Sequence, residues 1–202
     1  TASVARTTLT THRQQGLRVD GSGELVLEDV ETADNGREGI LIGNAAVRAR
    51  GLRVARNGVL DAADPRSGVL ALGGRGQTLR LEQVEMADNR LHGLALDGWE
   101  GSVQVEGAQV TGNGGDGVRV HASPRSQLVG LAAVGNGGAG LSLRGGASRL
   151  DSVSLTSNGG PGVAVGPGGL VELRACTFTS GAGLALEAAD SVSVVLSRFA
   201  TG

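Results

Sequence analysis

The chain has 202 residues, a formal net charge of −2, 40% hydrophobic residues and 36 glycines; Trp99, Phe178 and Phe199 are its aromatics, and it has no tyrosine and no lysine. Plentiful valine, leucine and alanine with ordinary proline exclude collagen and disorder, and so few aromatics favour a thin, layered core of small aliphatics over a globular enzyme core. Interspersed charges leave no footprint for nucleic acid, the lone Cys176 excludes an intrachain disulfide and a thiolate metal cluster, and no apolar run is long enough to insert in a membrane. Neither a metal ion nor a cofactor is expected.

In chain order the sequence is one motif rewritten. ASVARTTLTTH (2–12) is followed by LVLEDVETADN (25–35), VRARGLRVARN (47–57), LRLEQVEMADN (79–89), VQVEGAQVTGN (103–113), SRLDSVSLTSN (148–158), VELRACTFTSG (171–181) and VSVVLSRFATG (192–202), with apolar residues at the same offsets. A third piece follows the asparagine: NGREGILI (35–42), NRLHGLAL (89–96), NGGDGVRV (113–120), NGGAGLSL (136–143) and NGGPGVAV (158–165). About nine copies at a spacing of roughly 21 to 24 residues give the period of a solenoid.

Each copy alternates apolar and polar residues in three short pieces, the pattern of half-buried strands. Such short strands hold only if each pairs with its equivalent in the copies above and below. The expected fold is all-β, a right-handed parallel β-helix of three sheets and about nine coils, spanning 1–202 as one solenoid cut from a longer chain. Its asparagine-glycine pairs are then corners. Asn35, Asn57, Asn89, Asn113, Asn136 and Asn158 stack into a ladder, the glycines supply positive φ, and the row from Val30, Leu52 and Val84 to Cys176 faces inward.

Three glycine-rich readings fall away. Calcium rolls repeat every nine residues with an aspartate after the last glycine, a P-loop needs a lysine, and a dinucleotide loop must open onto a helix where a strand follows here. The rows Glu31–Arg53–Glu85 and Glu28–Arg50–Glu82 alternate in sign, as a solvated β surface does. One region stands out. Asp97, His121 and Arg144 end the third strands of successive coils, Arg119 lies beside them, and His92 and Asp116 stack on the preceding turn. Trp99 and Glu100 occupy the adjoining loop, and the insertion VLDAADPRSG (59–68) lies one coil earlier. Arginines with an exposed indole and carboxylates suit an acidic sugar, so these eight residues are the candidate ligand-binding site; no catalytic residue is assigned.

The repeat of asparagine, three residues, then G-[IVL]-x-[LV] resembles the pectate-lyase-like β-helices, and AVGNGGAGLSLRGG (133–146) and DNGREGILI (34–42) are similar to segments of bacterial mannuronan C5-epimerases. The resemblance implies an acidic polysaccharide as partner, and a catalytic tyrosine and an Asp-Pro-His-Asp motif. Here there is no tyrosine, and the nearest motif is Asp64-Pro65-Arg66-Ser67. Three readings follow: a non-catalytic exported or surface β-helix of bacterial origin, extracellular or periplasmic, presenting a lateral face to a glycan or surface protein; an enzyme acting on acidic glycans (lyase, epimerase or hydrolase); and a filament subunit associating end to end.

Overall fold

A computed structural model describes residues 1–59, 66–121, 123–179, 183–186, 191–195 and 198–199. Every described strand pair is parallel, and no helix occurs among these residues. Eight coils carry all three strands and a ninth begins with the first two. First and second strands are continuous in Ala2–Thr10 and Glu24–Ala33, so those two rows form one sixteen-stranded sheet, here the long sheet. The third strands form a separate sheet of eight, the short sheet. In the short sheet Asp20, Gly43, Leu72, Asp97, His121 and Arg144 lie in one register column.

The alternation read from the sequence decides which face is buried. Leu79 and Leu81, Val103 and Val105, and Leu94 and Leu96 face a continuous core, while Arg80, Gln104 and Asp97 between or beside them face out. Val30, Leu52, Val84, Ala108, Leu131, Val153 and Cys176 are all buried. Cys176 directs its thiol to the carbonyls of Leu150 and Arg174, as a small core residue. Arg53 lies between Glu31 and Glu85, 4.0 and 3.9 Å away. At about half exposure such pairs contribute little, on the order of 0–1 kcal/mol.

The asparagine ladder is complete from Asn35 to Asn158. The Asn113 amide donates to Asn136 Oδ1 at 2.9 Å and to the Met86 carbonyl at 3.0 Å, its backbone N–H donates to the same Asn136 oxygen, and its own Oδ1 accepts twice from Asn89. Asn35, Asn57, Asn89 and Asn136 repeat this pattern, and all six side chains are buried.

The reason for the glycines differs from expectation. After the asparagines, only Gly58 has positive φ; the left-handed residue instead precedes the asparagine, as Asp34, Arg56, Asp88, Gly112, Gly135 or Ser157. What excludes a side chain at the corner is proximity: a Cβ on Gly137 would stand 2.4 Å from the Gly114 carbonyl oxygen, and one on Gly159 equally close to that of Gly137. From Gly114 onward the corners stack too tightly for a side chain, whereas the Asn89 corner before them carries Arg90. The corner residues Gly181 and Gly202 and most of the insertion, Asp64-Pro65 included, lie outside the described residues.

Candidate functional site

Because each strand pairs with its equivalent, a residue's place in the repeat fixes its neighbours. Asp97 stands opposite His121, and His121 opposite Arg144. Two residues earlier, Ala95 stands between Leu70 and Arg119; it points outward but is covered. Arg119 organises the cluster. Its Nη2 lies 3.3 Å from Asp97 Oδ1, its Nε donates to His121 Nδ1 at 3.2 Å, and its Nη1 lies 3.2 Å from His92 Nε2. His121 Nε2 lies 3.4 Å from the Ser142 hydroxyl. On the turn, the Asp116 N–H donates to His92 Nδ1 at 2.9 Å, and Asp116 Oδ1 accepts from the Ala139 N–H at 2.8 Å.

These contacts set the electrostatics. Burial holds the His92 pKa below its ordinary 6.5; the Asp116 charge opposes this and Arg119 reinforces it. For His121 burial again acts first, reinforced by Arg119 and opposed by Asp97. Both imidazoles are therefore neutral at pH 7. They accept hydrogen bonds, which is the state required of a base.

Of the eight residues singled out, the fold joins six: His92, Asp97, Asp116, Arg119 and His121 in one network, with Arg144 exposed on the next strand, its stem against Gly166. Within the network His121 is held by Arg119, and the nearer Asp97 oxygen is 3.8 Å from Nδ1. One expectation is corrected. Trp99 is fully buried instead of covering a ligand. Its ring packs onto Gly74, where a Cβ would come within 2.4 Å of the indole, so the glycine loop of the preceding coil makes room and burying the large apolar ring drives it in. Glu100 stays exposed and pairs with Arg75 at 2.9 Å.

A second region was missed. Along the outer face of the long sheet a groove of about 680 Å³ is lined by Ser102, Gln104, Arg125, Gln127, Arg149 and Glu172, among others. Gln104, Gln127, Arg149 and Glu172 share one register row. The signal was present: VQV (103–105), SQL (126–128) and SRL (148–150) place an amide or guanidinium at the same outward offset on three successive coils. Glu172 is the groove's one carboxylate among the described residues, and Arg174 Nε holds it at 2.7 Å. No described group of three or more His, Cys, Asp or Glu could hold a metal ion.

Solved structures share this architecture. A single-site mutant of the periplasmic alginate epimerase AlgG superposes with a TM-score of 0.72 at 16% identity, covering 96% of this chain and 51% of that one. The A-modules of the Azotobacter vinelandii mannuronan C-5 epimerases AlgE4 and AlgE6 give 0.71 and 0.70 at 15% and 18% identity, covering 96% and 99% of this chain and 57% and 58% of theirs. The chain thus spans just over half the length of these structures, and at this identity the likeness is one of fold. No curated protein sequence matches it. The sequence model described as right handed beta helix region matches residues 1–149, most of the chain, and with the stacked coils and the asparagine ladder it shows that the chain belongs to that family.

Proposed function

We propose that the chain is a non-catalytic, exported β-helix that holds an acidic polysaccharide along the outer face of its long sheet. The observation that carries this reading is the row Gln104–Gln127–Arg149 with Arg125 beside it, lining an open groove parallel to the solenoid axis. Successive coils stand about 4.8 Å apart. A regular ladder of amide and guanidinium groups on that repeat suits an extended polymer with regularly spaced hydroxyls and carboxylates, the guanidiniums taking carboxylates in two-pronged fashion. Ala147 and the half-exposed Leu170 add apolar surface for sugar ring faces. The fold relatives point the same way: AlgG is a periplasmic alginate epimerase, the AlgE modules are mannuronan C-5 epimerases, and alginate is an acidic polysaccharide. Among the described residues the groove lacks the groups for catalysis, since hydrolysis uses two carboxylates and proton abstraction a free base, whereas Glu172 is its one described carboxylate and is already paired.

The test is calorimetric titration with oligouronates at neutral pH. The wild type is expected to bind, and the double variant Arg125→Ala/Arg149→Ala to bind at least tenfold more weakly with an unchanged melting temperature. Equal affinity in the two proteins would sink the reading.

One observation favours an enzyme instead: His92 and His121 are neutral imidazoles beside the Arg119 cation, the pairing needed to remove a proton next to a carboxylate. Against it, Arg119 is already engaged by Asp97 and both rings. New double bonds or altered sugar stereochemistry by NMR after incubation with polyuronate would establish the enzyme; an unchanged polymer would remove it.

A further inference from the structure

The short-sheet cluster is closed at neutral pH, and the way it is closed shows how it opens. Both rings sit against donors: His92 Nδ1 accepts from the Asp116 N–H and its Nε2 meets Arg119 Nη1, while His121 Nδ1 accepts from Arg119 Nε. An imidazolium carries a hydrogen on each nitrogen and accepts nothing. Protonation therefore breaks the bond that each Nδ1 accepts and sets a cation against Arg119.

The relief lies a short distance away. Asp116 Oδ2 is 3.6 Å from His92 Nδ1, and Asp97 Oδ1 is 3.8 Å from His121 Nδ1. Each gap closes with a small side-chain movement to give an imidazolium–aspartate pair. Asp97 is, however, the carboxylate that holds Arg119, at 3.3 Å. Two carboxylates face one guanidinium before protonation, and three cations afterwards. Once both aspartates are claimed, Arg119 has no anion.

The remaining charged neighbours among the described residues supply none. On the preceding coil the place of His92 is taken by Ser67 and that of Asp97 by Leu72, both uncharged. One coil further back Glu38 is fully buried and held by Arg66 at 3.3 Å and by Gln15 at 3.1 Å. On the following coil stand Ser142, opposite Arg119, and Arg144, opposite His121. Arg144 is exposed and makes no ion pair with a described residue. Arg119 and Arg144 are thus diagonal neighbours on adjacent strands, roughly 7–8 Å apart and within joint reach of one carboxylate.

We propose that the outer face of the short sheet is a proton-gated anion site: when His92 and His121 are protonated they take Asp116 and Asp97, and the released Arg119 joins Arg144 to bind a carboxylate of an acidic polysaccharide. The site lies on a different sheet from the groove above and works in the opposite regime. Binding there is absent at neutral pH and appears in mild acid, where uronate carboxylates are still charged. The lowered pKa values of the two rings place the opening below pH 6.5.

The test uses Arg125→Ala/Arg149→Ala protein, in which the long-sheet groove is disabled, titrated with a galacturonate oligomer at pH 7.5 and pH 5. At least a tenfold tightening at pH 5 is expected. It should vanish in His92→Gln/His121→Gln and be cut severalfold in Arg144→Ala, whose exposed side chain makes no ion pair with a described residue, so that a folding defect in the histidine variant leaves a second readout. Tightening that survives both changes, or affinity that does not change between the two pH values, overturns the proposal. Neither result touches the groove reading, which is measured at neutral pH in protein with Arg125 and Arg149 intact.

Discussion

Two polar columns run along the same turn, three residues apart, and they behave as opposites. The first is uniform: an asparagine on each of six successive coils, each amide bonded to the next. The second, just before the closing glycine, is Gln15, Glu38, Ser67, His92, Asp116 and Ala139, and its contacts change from coil to coil. A neutral amide is donor and acceptor at once, so an identical residue repeated along the stack satisfies itself at any pH. Carboxylates only accept and imidazoliums only donate, so the second column must alternate partners and responds to protons. Uniformity marks the column that builds the solenoid. Irregularity marks the one that can respond.

The largest effect should come from breaking the first column at its centre. Asn113→Ala removes an amide with four side-chain hydrogen bonds and takes from the Met86 carbonyl its amide donor and from the Asn89 backbone N–H its acceptor. A loss of about 3 kcal/mol is expected in denaturant melts, the same at pH 8 and pH 5. A loss that varies with pH would show that the two columns are coupled.

The second column predicts a smaller effect with a definite sign. His92 and His121 are depressed in the folded protein, so the unfolded chain binds the more protons between the ordinary value and the folded one. Their contribution is fully present above pH 6.5 and is lost as pH falls through the folded values. The denaturation midpoint should decline below pH 6.5, and His92→Gln/His121→Gln should flatten that decline. An equal slope in both proteins would place the acid sensitivity elsewhere.

The smallest effect would lengthen the ladder. In the first coil His12 occupies the asparagine position, with its backbone N–H donating to Asn35 Oδ1 at 3.0 Å and its ring Nδ1 3.1 Å from the same oxygen. His12→Asn supplies an amide donor in that place and should stabilise by less than about 1 kcal/mol. A lower midpoint would mean that the ring does more than imitate an amide.

The same contrast explains what could be read from sequence. Identical side chains at identical offsets announce the coil, the corner and the inward row, and register then brings Asp97, His121 and Arg144 together without further information. Trp99 follows the third strand, in a loop where the repeat offers no offset to count from, so its burial against Gly74 was hidden. The glycines after the asparagines were ambiguous for another reason, since glycine answers equally to positive φ and to crowding. The groove row was legible but unremarked, because glutamine and arginine in an outward position look like ordinary solvation.

The ladder also has a direction. From Asn35 to Asn158 each side-chain amide hydrogen passed along the column goes toward the later coil, and each oxygen receives from the earlier one. The column is vectorial, like a one-way bucket chain. Its early end presents an acceptor, which His12 covers, and each asparagine set into the column between the two ends accepts from the coil before and donates to the coil after. A side chain that can only accept, or only donate, would therefore cut the column on one side and leave it joined on the other.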